Sequence, residues 1–358
     1  MTRHAAPMRL TLSLIAGLCG VSAPERGRLM LRNTTLAIAF ATALVMLGSL
    51  VMTACFGSSP ETSTDYQAPP ETIRAGHLLD DTRAPQGEAG NFEPPTFAQR
   101  RAIDDVLPDF LDELETDSVD IDAYRPRFEA AGLRLDTYDH GDQQWLLLYE
   151  AGDRWRGTGA YVFRPGTDAS DLVVQAPHSY FDRHTDRIGL AVFEDTNARA
   201  FFFNTLHRYH ASSTFRATDI ALSDPSHNSS SFYHKISTAV LEHRPATAML
   251  ELHGFTGTDS GGRAHRFIAS EGVDNPGDLS RELTAALRAE YGDDSTALYP
   301  EDTRQLGGTG NVLSRWTSRH SPGQFIHLEI DDQTRGELRD EPGPLIRAVS
   351  HSLAAKRH

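Results

Sequence analysis

LVVQAPHSYFDRHTD, residues 172–186, begins as an apolar strand and ends as a cluster of polar groups. The run stops at Pro177, whose missing N–H cannot continue a sheet ladder. His178, Asp182 and His184 then follow within seven residues. A buried strand that terminates in imidazoles and a carboxylate marks either an ordinary polar loop or one wall of a site, and its neighbours decide which.

Beyond residue 170, strand-like and helix-like stretches alternate. LVVQAPH, ARAFFFNTLHRY, TAMLELHGF, STALYPE and GQFIHLEID read as strands, while DRIGLAVFED, SSSFYHKISTAVLEHR and LSRELTAALRAEYG carry helical periodicity. That alternation predicts an α/β fold with a mixed, largely parallel sheet and helices on both faces. Ligand sites in such sheets lie at the carboxyl ends of the strands. Upstream, FAQRRAIDDVLPDFLDEL predicts a helix kinked or divided by Pro108, and IDAYRPRFEAAG a second helix closed by Gly132. RLDTYD, QWLLLYEA and GAYVFRPG predict short strands.

The ends of the chain have a different character. From Met30, a positive start, a long apolar middle and small residues before Cys55 match a secretory signal, with Met30 a candidate start and residues 1–54 the signal region. Met52-Thr53-Ala54-Cys55 resembles a bacterial lipobox, which implies a membrane lipid anchor on Cys55 and a place in the cell envelope. The competing reading is a membrane-spanning anchor, because the apolar run approaches the roughly 20 residues that a bilayer requires. Residues 55–96, rich in Pro, Gly, Ser, Thr and acids, read as a disordered tether. Residues 97–165 then form N-terminal helices and strands, and 166–350 a core. Cys19 and Cys55 are the only cysteines, so disulfides play no part beyond residue 55. A net charge of −15 argues against nucleic acid as a partner.

Polar residues collect at the predicted carboxyl ends: His178 and Asp182, then His207 and Arg208, then His253, and Glu329 with Arg335 beyond it. Imidazoles and a carboxylate are a normal zinc set, and three protein ligands leave a fourth position open. A nearby carboxylate can then act as general base. Taken one at a time, Glu329 could be a strand residue paired with Arg335, and Arg208 and Arg315 could form surface ion pairs. Asp224 and His227 in SDPSH could be turn residues, or a carboxylate–histidine pair that orients a ligand.

The ordered set APHSYFD, FNTLHRY, DPSH–SSSF, LELHGF, LGGTGNVLSR and GQFIHLEID–TR resembles the zinc-peptidase-like hydrolases. That superfamily takes in zinc carboxypeptidases, aspartoacylase-type deacylases and N-formylglutamate amidohydrolases. The resemblance implies a Zn²⁺ site of His178, Asp182 and His253, with Glu329 as catalytic base and Arg208 polarising the scissile carbonyl or holding a substrate carboxylate. Asn311, Arg315 and Arg335 are implied substrate contacts. The carboxypeptidase spacing would put the second ligand three residues after His178, where Phe181 stands, so Asp182 and His184 both stay open for that place. The implied activity is hydrolysis of an amide bond in a small peptide or an N-acyl amino acid, and the alternative is an envelope binding protein that keeps the fold without turnover. GTDSGG at 257–262 is similar to the nucleophile loop of chymotrypsin-like proteases, but the α/β alternation contradicts their barrels, so Ser260 reads as a loop residue.

Overall fold

A computed structural model describes residues 73, 76–84, 92–116, 118–152, 155–210, 222–258 and 262–355. The signal region, Cys55 and Ser260 lie outside the described residues.

Helix α1 (Leu78–Asp81) is a single turn. Helix α2 (Phe97–Glu113) starts at a capping box, in which Thr96 and Gln99 satisfy each other's backbone donors, and runs unbroken through Pro108. Helix α3 (Ile121–Glu129) is capped by Asp120, and Gly132, at φ +79°, turns the chain out of it. Strands β1 (Leu133–His140) and β2 (Gln143–Glu150) form a hairpin, followed by β3 (Ala160–Phe163) and β4 (Ser170–Ala176). Then come α4 (Thr185–Asp195), β5 (Ala198–Phe203), α5 (Phe232–His243), β6 (Ala248–Phe255), β7 (Phe267–Ser270) and α6 (Asp278–Tyr291). The chain finishes with β8 (Thr296–Leu298), α7 (Val312–His320), β9 (Phe325–Asp331), α8 (Asp332–Asp340) and α9 (Gly343–Ala355). Strand β7 and helices α7 to α9 were not expected from the sequence; β7 is four residues long, too short to show a period.

The nine strands form one sheet in the order β1-β2-β3-β5-β4-β6-β9-β7-β8. Its central block, β5-β4-β6-β9, is parallel. Antiparallel β1, β2 and β3 extend one side, and β7 joins β9 antiparallel on the other. Segments 97–165 and 166–350 therefore share one sheet through the β3–β5 pairing. One face is covered by α4, α6 and α9 through Val192, Phe193, Leu283, Leu287 and Leu345. The other packs on α2, α3 and α5 through Phe110, Phe128, Ile236 and Val240. Period-two burial explains the division, because Leu250 and Leu252 of β6 point to the first face and Met249 to the second.

Part of the expected tether is packed. Leu78 lies in the first core, the Gly76 N–H donates to the Tyr138 hydroxyl at 2.8 Å, and Arg83 pairs with the buried Asp186. Leu78 and Ala84 supply enough apolar surface to anchor this stretch despite its polar surroundings. No helix among the described residues is long and apolar enough to cross a membrane.

The chain leaves β4 for β5 on one side and returns through α5 to β6 on the other. The carboxyl ends of β4 and β6 therefore diverge at a switch point, where such sheets open a crevice.

Candidate metal centre

Two strand ends and one turn build the centre. After Pro177 the chain coils tightly, with the Asp182 N–H donating to the His178 carbonyl at 2.8 Å, as in one helical turn. That turn carries Asp182 back beside His178. His253 arrives from β6, the neighbour of β4. The atoms His178 Nδ1, Asp182 Oδ2 and His253 Nδ1 then form a triangle with edges of 3.0, 3.2 and 3.4 Å. All three side chains are buried.

His184 is the N-cap of α4, at φ +74°, and is not among the clustered donors. Of the two candidates for second ligand, Asp182 is the one the fold brings to the histidines. Its spacing, four residues after His178, suits the helical turn between them.

Each imidazole is held from behind by a carboxylate. His178 Nε2 meets Asp224 Oδ1 at 3.0 Å, and His253 Nε2 meets Glu251 Oε1 at 2.6 Å. Arg208 grips Asp224 Oδ2 through Nε at 2.9 Å and Nη2 at 2.5 Å, while its Nη1 lies 3.0 Å from His178 Nδ1. Its guanidinium also sits over the rings of Phe181 and Tyr209.

On β9, Glu329 is the register partner of His253, and His327 that of Glu251. Parallel register places all four on one face of the sheet. His327 Nε2 lies 3.1 Å from Glu329 Oε1, whereas Glu329 Oε2 is buried without a hydrogen-bond partner among the described residues. An orphaned buried carboxylate oxygen is costly, and a catalytic role or a bound ion or water would each account for it.

The other expected substrate contacts are placed differently. Asn311 is buried as the N-cap of α7, accepting from the Leu313 and Ser314 N–H groups and donating to Glu251. Arg335 is 4% exposed and spends its guanidinium on the Arg183, Phe255 and Ile330 carbonyls and on Asp332. Arg315 is exposed and donates to the Thr309 carbonyl. Long polar side chains near a strand end find backbone carbonyls as readily as ligands, which the sequence alone does not distinguish.

The donor set fits a divalent cation. A tetrahedral ion with ligand bonds of about 2.0–2.1 Å separates its donors by roughly 3.4 Å, close to the observed edges. Charge points the same way, since Asp182, Asp224, Glu251 and Glu329 converge here, and Arg208 is the only Lys or Arg side chain hydrogen-bonded to them among the described residues. Burial alone would push the His253 pKa down, but hydrogen bonds to Asp182 and Glu251 raise it to about 10. Burial likewise pushes the Asp182 carboxyl up, yet bonds from His178 and His253 together hold it below the usual carboxylate range. Asp224 follows the same pattern, with burial opposed by the His178, His227 and Arg208 contacts.

Glu251 and His327 were missed by the sequence reading. The signal was present in Glu251-Leu-His253 and His327-Leu-Glu329, where two polar residues share one face of an otherwise apolar strand.

No family model matches the chain, and no curated protein matches it. Among solved structures it is similar to a metallo-carboxypeptidase from Pseudomonas aeruginosa in complex with (2-guanidinoethylmercapto)succinic acid, at 10% identity and a TM-score of 0.39, covering 63% of this chain and 78% of that one. It is also similar to a metallo-carboxypeptidase from Burkholderia cenocepacia, at 10% identity and a TM-score of 0.34, covering 63% and 77%. A succinylglutamate desuccinylase from Vibrio parahaemolyticus matches at 12% identity and a TM-score of 0.34, covering 63% and 76%. Likenesses this distant leave the functional reading to rest on the side chains themselves.

Proposed function

We propose that the protein is a zinc-dependent hydrolase of amide bonds, acting on a small peptide or N-acyl amino acid in the cell envelope and anchored to the membrane by lipid on Cys55. One observation carries the hydrolase reading: two imidazole Nδ1 atoms and a carboxylate oxygen meet within 3.4 Å of one another at the carboxyl end of a parallel sheet. His178, Asp182 and His253 would hold the zinc, which when bound supplies Lewis-acid activation of water and of the scissile carbonyl. The envelope location rests on the lipobox-like Met52–Cys55 alone.

Glu329 has the position and the free atom of a general base. Its Oε2 takes the proton of the attacking water and passes it to the leaving nitrogen, while His327 keeps Oε1 occupied. Arg208 reaches the ligand-facing side of His178, where its guanidinium stabilises negative charge on the substrate oxygen. Arg335 spends its guanidinium on backbone carbonyls and Asp332, whereas Arg208, paired with Asp224, turns Nη1 toward His178, so Arg208 is the cation better placed to meet a substrate carbonyl or carboxylate.

Metal analysis of the purified protein beside His253→Ala tests the reading. Stoichiometric zinc in the wild type and its loss in the variant are expected. A wild type that binds no divalent metal after incubation with excess zinc would refute it.

A further inference from the structure

Glu251 is a glutamate in the middle of the sheet, 1% exposed, with the core residue Met249 two positions before it on the same face. A charge at such a place costs several kcal/mol unless it is fully bonded, and an apolar side chain would serve packing better. Its bonds explain its presence. Oε1 lies 2.6 Å from His253 Nε2 and 3.1 Å from the Ser226 hydroxyl, and it also accepts from Asn311 Nδ2. Three donors from three different segments fix one oxygen.

These donors are themselves anchored. Asn311 is held by capping α7. Ser226 donates its backbone N–H to Asp224 Oδ1 at 3.1 Å, and its carbonyl accepts from the Val312 N–H at 2.9 Å. Ser226 thus ties the carboxylate behind His178 to the carboxylate behind His253. Both imidazoles are bonded through Nε2 to a buried carboxylate, and both therefore turn Nδ1 inward, 3.0 Å apart.

We infer that Glu251, clamped by Ser226 and Asn311, is a positioning residue that orients His253 as a metal ligand. The inference rests on the metal site proposed above. Carboxylates in this role typically contribute a factor of 10–100 in metal affinity. Glu251 stands behind the His178–Asp182–His253 triangle, where its Oε1 accepts from three donors, and it also clusters with His253 and His327.

The test is the zinc dissociation constant near neutral pH, measured by competition with a chromophoric chelator. The proteins are wild type, Glu251→Gln and, as a matched control, Glu150→Gln. Glu150 is an equally buried carboxylate that accepts from the Thr158 and Arg156 N–H groups, remote in its contacts from the metal centre. Glu251→Gln is expected to keep one zinc per chain and to weaken it about 10- to 100-fold. Glu150→Gln is expected to lower the unfolding midpoint and leave zinc affinity unchanged. A purely structural Glu251 would move stability and not affinity. If Glu251→Gln does not fold, Ser226→Ala, which removes one clamp donor, is expected to weaken zinc in the same direction. Unchanged zinc affinity in a folded Glu251→Gln protein, or failing that in folded Ser226→Ala, overturns the inference alone. A wild type without zinc overturns the metal site and the inference together.

Discussion

Replacing Asp224 by Asn keeps the shape of the side chain and removes its charge. The carboxylate is 2% exposed and receives Arg208 through Nε at 2.9 Å and Nη2 at 2.5 Å, His178 Nε2 at 3.0 Å and the Ser226 N–H at 3.1 Å. Breaking a buried ion pair by removing one partner costs about 3–5 kcal/mol, because the other charge is left uncompensated. The Arg208 side chain keeps 16% exposure, so some water reaches it and the lower end applies, about 3 kcal/mol. Against a total stability of about 5–15 kcal/mol, that is a large loss. Urea unfolding of the metal-free protein reads it as a lower midpoint at unchanged slope. Arg208→Gln in the same protein completes a double-mutant cycle. The two changes together should cost less than the sum of each alone, by at least about 1 kcal/mol, since removing both ends of the pair strands no charge. Additivity within about 0.5 kcal/mol would mean that Arg208 and Asp224 are not paired, and the electrostatics argued for the centre would fall with it.

Glu329→Gln should retain zinc while hydrolysis falls by about 10²–10⁴-fold, the usual weight of a positioned general base; full turnover in the variant would remove Glu329 from the chemistry. Gly308→Ala should destabilise by about 1–2 kcal/mol, because the residue sits at φ +62° and a Cβ there would lie 2.7 Å from the His327 ring; an unchanged thermal midpoint would contradict that contact. Burial lowers the His234 pKa from 6.5 to about 4. The unfolded chain therefore takes up the proton first as pH falls, and the stability this neutral imidazole contributes above pH 6.5 is lost progressively down to about pH 4. His234→Asn should flatten that acid limb by roughly 3 kcal/mol in urea titrations across the interval, and an acid limb as steep as in wild type would show that His234 is not held neutral.

The pattern of elements was largely legible. LVVQAP, AMLELHGF and QFIHLEI are apolar runs too short for helices and closed by polar residues, so their strands could be read directly. Phe267–Ser270 could not, since four residues have no period to show. His178 and His253 were visible because each ends an apolar run, and Glu329 because it interrupts one. Asn311 and Arg335 were equally visible, but their partners include Glu251 for the one and the Arg183 and Phe255 carbonyls for the other, and no local spacing reveals a partner distant in sequence.

The sequence by itself determined which residues form strands, which strand ends carry imidazoles and carboxylates, and that the sheet is α/β, because side-chain period and chain-breaking residues are local properties. Tertiary structure alone decided that Asp182 and not His184 joins the histidines, that Glu251 and His327 stand behind them, and that Arg208 and not Arg335 faces the centre. Those outcomes depend on strand order and register. The pairing of β6 with β9 sets Glu251 beside His327 and His253 beside Glu329, across more than seventy residues of intervening chain. Only the assembled sheet fixes distances of a few ångströms between groups so far apart in sequence.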